Sequence, residues 1–236
     1  MRRVLVVFGL AGMLLLAGCL SGGPIDEQEL EASAQYDWET DANATIDASG
    51  DSYRAVLSPG NQSEVKLFGP GEFGGEAALP VRAVQFRYAN GTVLNASNLT
   101  IEEENDRTVV SLPQQGGKLG FTADVQSSQM FVPVAVNGSH TVRLPEGTTV
   151  DLPVISRATP ADYDIDRSGD RVTLNWEQPD AEMLIVDYYD RRNLLIFGGL
   201  AGGLGSVALA GVLYFRAQIA ELAKQTGEID QETDET

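Results

Sequence analysis

The chain of 236 residues has one cysteine, one histidine and three lysines. A single cysteine, Cys19, excludes an intrachain disulfide and any metal cluster built on several thiolates. With one histidine, His140, zinc sites of the usual nitrogen and sulfur type are excluded, and a Ser-His-Asp triad would have to use that residue. His140 follows a glycosylation sequon and opens a strand-like run, so it is expected exposed at a hairpin edge. No Gly-X-Ser-X-Gly elbow occurs. The glycine cluster GPGEFGG at 69–75 lacks the Lys-Ser/Thr ending of a phosphate loop. Aromatics make up only 7%, which gives a sugar-stacking cleft little support despite Trp38 and Trp176. Bases are outnumbered, with 16 Lys and Arg against 34 Asp and Glu and a net charge of −18. Such a surface excludes nucleic acid as a partner, because phosphates need clustered cations. No cofactor is expected, and no catalytic residue is assigned.

What is present in strength is apolar sequence at the two ends. Arg2 and Arg3 precede an apolar or glycine stretch at 4–17. That run is short of the ~20 residues that cross a bilayer and suits the hydrophobic region of an export signal, placed at 1–18. Leu16-Ala17-Gly18-Cys19 resembles the lipobox of secreted lipoproteins. The resemblance implies cleavage before Cys19 and a lipid in thioether linkage on its sulfur. Residues 19–33, with Ser21-Gly22-Gly23-Pro24 and then acids, are expected to form a tether.

At the other end, residues 193–215 carry no charge. This predicts a transmembrane α-helix, with Tyr214 where an interfacial aromatic would sit. Export of Cys19 places 20–190 outside and the short acidic tail, 216–236, in the cytoplasm. Within the helix, Gly198, Gly202, Ser206 and Ala210 recur every four residues. That spacing permits close helix–helix approach, and so a homo-oligomer or a partner membrane protein. The membrane itself is the other expected partner.

Between these ends, six of nine asparagines fall in Asn-X-Ser/Thr: Asn43, Asn61, Asn90, Asn95, Asn98 and Asn137. With 28 Ser and Thr in 236 residues, chance supplies about one, so the six are N-glycosylation candidates. The acid-rich, lysine-poor balance resembles that of haloarchaeal proteins, whose self-repulsion is screened by molar salt.

Residues 34–190 read as an all-β ectodomain, antiparallel and β-sandwich-like. Alternating runs are expected as strands at 52–57, 64–68, 81–88, 107–111, 117–125, 130–136, 141–144, 149–154, 171–176 and 183–188. In 81–88, Val81, Ala83, Gln85 and Arg87 are expected on one face, and Arg82, Val84, Phe86 and Tyr88 on the other. Asn90-Gly91 and Asn137-Gly138 each predict a hairpin turn, and 167–170 a third. A subdivision near 156–160 is possible on composition. Asp162, Asp164 and Asp166 match the first positions of a calcium loop, but Arg167 and Thr173 stand where Gly and Glu belong. They are weak calcium candidates and read more simply as a charged strand edge.

In layout and composition the chain resembles the uncharacterised haloarchaeal surface lipoproteins, with a signal, a β ectodomain and a C-terminal span. No activity comes with that resemblance. The expected function is a non-enzymatic, membrane-anchored envelope module with a structural or interaction role. An accessory or sensing subunit of a membrane complex is the alternative, and an extracellular hydrolase is the remaining class.

Overall fold

The computed structural model describes residues 26–71, 74–126, 128–150 and 157–233. The signal segment 1–18, Cys19 and part of the expected strand 149–154 lie outside them. The chain forms two compact units, 1–188 and 189–236.

Among its described residues the first unit is almost entirely β. Its largest sheet has eight strands, in the order β14 (Asp164–Ser168), β15 (Arg171–Trp176), β11 (His140–Arg143), β1 (Ala44–Ser49), β2 (Ser52–Leu57), β9 (Lys118–Asp124), β5 (Val81–Arg87) and β6 (Val93–Asn95). Every pairing is antiparallel except β1 with β11. A three-stranded sheet orders β10 (Gln129–Pro133), β16 (Met183–Asp187) and β13 (Ala158–Thr159). A four-stranded sheet orders β4 (Glu76–Ala78), β3 (Glu64–Pro70), β8 (Arg107–Ser111) and β7 (Thr100–Glu104). A two-residue strand, β12 (Thr148–Thr149), a four-residue helix, α1 (Glu27–Leu30), and a short 3-10 turn, Ala96–Asn98, complete its described part.

Strict alternation puts one face of the large sheet into the core. Ile46, Tyr53, Leu57, Leu119, Phe121, Leu174 and Trp176 point inward and are all but inaccessible to solvent. They join Val65, Leu67 and Val110 of the four-stranded sheet and Met130, Val132, Leu184 and Val186 of the three-stranded one in a single apolar cluster. The Tyr53 hydroxyl crosses the layers to donate to the Phe131 carbonyl at 3.0 Å. Full burial of each such side chain contributes about 2 kcal/mol.

Two expectations are corrected here. The alternation expected through 81–88 breaks at a bulge: the register with β9 shifts between Arg82 and Gln85, and Ala83 has φ 52°. Val81, Ala83, Val84 and Phe86 are therefore all buried, because one inserted residue moves the apolar set to the opposite parity. Asn137-Gly138 does not turn a hairpin either. The preceding β10 belongs to the small sheet and the following β11 to the large one. The segment between them crosses layers and folds against Asn43. The Asn90-Gly91 turn does join β5 to β6, and β14 to β15 is the third hairpin.

The second unit consists of β17 (Tyr189–Asp190) and one helix, α2 (Arg191–Thr233). Asp190 accepts the Arg192 N–H at 2.7 Å, an N-cap. Residues Arg191–Arg216 are long and apolar enough to cross a membrane, about 39 Å at 1.5 Å per residue. Beyond them the helix runs to Thr233, through the stretch from 228 that composition alone reads as disordered.

Candidate functional site

Before β1 begins, residues 32–40 cross the outer face of the eight-stranded sheet as a strap. Tyr36 anchors it. Its hydroxyl donates to the Ala83 carbonyl at 2.7 Å and lies 3.0 Å from Thr122 Oγ1. Burial pushes the phenol up to about 12, against smaller opposing effects of Thr122, Arg54 and Arg82. Tyr36 and Trp38 pack edge to face, with centroids 5.4 Å apart, and both lie on Gly120. A Cβ there would come within 2.8 Å of the Tyr36 ring and 2.9 Å of Trp38. The sheet's polar side chains reach up to the strap's carbonyls: Arg54 to Gln35 at 3.1 Å, Gln85 to Ala34 at 3.2 Å and Lys118 to Trp38 at 2.6 Å. Ion pairs Arg87–Glu39 and Arg143–Asp37 flank it.

The strap runs from one end of the sheet to the other. Ala32 to Gln35 lie beside Ser49 and Ser52, at the β1–β2 turn. Trp38 to Thr40 lie beside Lys118 and Arg87, near where β1 starts. The chain leaves the unit at the β1–β2 turn end as well. The Tyr188 N–H donates to the Ser128 carbonyl at 3.1 Å, and Val125 N–H donates to Asp51 at 2.8 Å. Burial first and the Asp51 carboxylate second raise the Tyr188 phenol above its ordinary value. Both ends of the unit's described chain thus converge on one end of the large sheet. Residues 26–33, expected as tether, are docked there through Leu30, which is buried in the core cluster.

Four sequon asparagines gather at the opposite end. Ala44 pairs with Leu57 and His140, Leu57 with Leu119, and Arg87 with Lys118. Asn43, Asn61, Asn90 and Asn137 lie in the segments just beyond these residues. Asn95 and Asn98 lie at the β6 edge. All six are exposed. Asn90 Oδ1 accepts the Thr92 N–H at 3.0 Å. Asn43 Oδ1 accepts the Ser139 N–H at 3.1 Å. Gly138, at φ 102°, is needed for that approach, since a Cβ there would sit 2.3 Å from Asn43 Oδ1. Asn61 and Asn137 line one open groove of about 980 Å³.

The sequence profile of a family of unknown function (DUF5803) matches residues 40–234. The chain belongs to this family. The DUF5803 match takes in the sandwich from the start of β1 together with α2, and the strap lies almost wholly before it. No curated protein and no solved structure matches the chain.

Other sequence-derived candidates fall at separate places within this DUF5803 chain. Asp164 and Asp166 are exposed on β14, an edge strand, and Asp162 precedes it. Among the described residues no three His, Cys, Asp or Glu side chains gather in a metal-binding group. Gly198, Gly202, Ser206 and Ala210 lie on α2, where Ser206 Oγ donates back to the Gly202 carbonyl at 2.8 Å. Space beside Gly198 and Gly202 is open. His140 is not exposed as expected but fully buried. Its Nδ1–H donates to Gly138 O at 2.9 Å, while Nε2 is buried without a partner among the described residues. Burial holds the imidazole below its ordinary value, against a smaller raising effect of that bond. No sequence signal pointed to the strap, because 32–40 has neither period nor motif.

Proposed function

We propose that the chain is a doubly anchored cell-surface module with a structural or interaction role and no catalytic one. On this reading a lipid on Cys19 holds one end, and 194–213 of α2 crosses the membrane at the other. The acidic β-sandwich stands outside, glycosylated at some of the six sequons, and the short tail lies in the cytoplasm. The observation that carries the reading is the convergence of both ends of the first unit's described chain on the β1–β2 turn end of the large sheet. A domain tethered twice to one surface needs its ends on one side. The exposure of all six sequon asparagines supports the outward placement.

The test is mass spectrometry of the product made in a lipoprotein-processing host, with external protease applied to intact cells. The expected product begins at Cys19, carries a thioether lipid and loses 34–190 to the protease. Recovery of a full-length chain with a free thiol in the soluble fraction overturns the reading. Adaptation to molar salt is part of the proposal, and its readout is near-UV dichroism lost on dilution to about 0.1 M. A spectrum unchanged by dilution removes that part.

An accessory subunit of a membrane complex is the second reading. The open face beside Gly198 and Gly202 favours it. Gly202→Ile then abolishes helix association in a bilayer reporter, and unchanged association removes this second reading.

A further inference from the structure

The arginines of the large sheet are mostly committed to acids. Arg82 holds Asp124, Arg87 holds Glu39, Arg143 holds Asp37 and Arg171 holds Asp47. Arg54 stands apart from these four. In a chain with 34 acids it has no carboxylate within ion-pair distance among the described residues and donates only to the Gln35 carbonyl. Asp47, its cross-strand neighbour, is taken by Arg171. Arg54 and Arg82 face a cleft of about 470 Å³ between the strap and the β1–β2 turn. Ser33, Ser49 and Ser52 line the same cleft, and their hydroxyls make no hydrogen bond to the described protein. Ala83, in its left-handed conformation, forms part of the wall. A residue held in that region is costly and recurs at binding sites.

We propose that this cleft binds a phosphate group. A guanidinium presents a planar fork of N–H donors that matches phosphate oxygens, and the three serines add neutral donors around it. Asp124 neutralises much of Arg82, so Arg54 supplies the main charge and the hydroxyls supply the selectivity for a multi-oxygen anion over chloride. The cleft lies at the sheet end where both chain ends converge. An anionic lipid headgroup and free phosphate share the required chemistry. The headgroup source rests on the double-anchor reading, whereas the phosphate site itself does not.

Hydrogen exchange of the full chain distinguishes these cases. The chain is first held in a maltoside detergent, which carries no phosphate, and titrated with inorganic phosphate against chloride at constant ionic strength. At ten times the dissociation constant, exchange in 32–35 and 49–54 is expected to slow by about tenfold. The chain is then placed in phosphatidylglycerol nanodiscs without free phosphate. Protection in the nanodiscs that Arg54→Gln removes assigns the headgroup. Protection only with inorganic phosphate, again removed by Arg54→Gln, assigns the free ion and leaves the phosphate site standing. The paired variant Ser49→Ala with Ser52→Ala, at an exposed and a half-buried position, loses protection without loss of fold. Protection in neither arm, or protection that survives both sets of variants, overturns the proposal.

Discussion

The two ends of the eight-stranded sheet carry different traffic. At the β1–β2 turn end the chain comes in beside Ser49 and Ser52 and goes out at Tyr188. Asn95 and Asn98 lie aside at the β6 edge. At the other end the loops carry Asn43, Asn61, Asn90 and Asn137, all exposed, and neither end of the unit's described chain lies there. The difference teaches that the poles of a sandwich can be used unequally. The described chain enters and leaves the unit at one pole, and four exposed sequon asparagines stand at the other. The strap links the two poles, because it comes in at the first and delivers β1 at the second.

Cutting that link is the largest perturbation. Gly120 sits in the middle of β9, where Tyr36 and Trp38 rest directly on its backbone. Gly120→Val puts branched carbons into space the two rings occupy. Overpacking and loss of the strap's contacts should together cost about 3 kcal/mol, read as a shift in denaturant midpoint. Proteolysis should then cut within 32–40 while the β5–β6 hairpin stays resistant. A midpoint within error of the parent would show that the strap is ornamental.

Removing one atom from the same contact is a milder version. Tyr36→Phe keeps the ring over Gly120 but leaves the buried Ala83 carbonyl without its donor. The cost of an unpaired buried acceptor is about 1–3 kcal/mol. The pH dependence of the parent carries a signature of this phenol. Its raised value means stability is present below pH 10 and declines as pH rises beyond it. The phenylalanine variant should show a shallower decline, because the raised phenols of Tyr53 and Tyr188 still contribute one. Equal alkaline sensitivity in both proteins would place the effect elsewhere.

These contacts also mark where sequence reading stops. Strands whose one face is buried were legible, since alternation is a local consequence of a half-buried sheet: β2, β8 and β15 fall on 52–57, 107–111 and 171–176 as expected. The edges were not. β7 reads Thr-Ile-Glu-Glu-Glu, and four of its five residues are exposed, so no apolar alternation exists to detect. β1 was missed although Ala44, Ile46 and Ala48 alternate inward, because two of the three are alanines with little strand preference. The Ala83 bulge depends on tertiary pairing with β9, and a parity rule cannot foresee it. Asn137-Gly138 carries the strongest hairpin signature, yet Asn43, distant in sequence, makes the other use of that glycine. The six Asn-X-Ser/Thr triplets are plain in the sequence, but the gathering of Asn43, Asn61, Asn90 and Asn137 at one pole follows from topology alone.

A third test probes the sequon pole from inside. His140 is buried there as the neutral imidazole, with Nδ1–H on Gly138 O. The folded state binds its proton less readily than the unfolded state does, so its contribution to stability is complete above the ordinary value of 6.5. It is lost progressively as pH falls below that value, and the loss levels off below the depressed folded value. His140→Gln should flatten the slope of stability against pH just below 6.5, while carboxylate contributions, common to both proteins, cancel. Parallel slopes would mean that the imidazole stays neutral in both states or is solvated on folding.

The smallest expected effect on stability comes from the surface of the same pole. Replacing Asn61, Asn90 and Asn137 by Gln removes three acceptors without touching a buried group, because each side chain is exposed. Asn90 gives up only a local turn bond to Thr92. Each change should stay within about 0.5 kcal/mol of the parent when the unglycosylated proteins are compared. Asn43→Gln is different, because Asn43 Oδ1 holds the Ser139 N–H against the close approach of Gly138. Its loss should cost about 1 kcal/mol for the displaced hydrogen bond. The comparison of the poles therefore separates acceptors that only decorate the sandwich from one that also holds two of its strands together. A cost at Asn43 no larger than at Asn61 would erase that distinction.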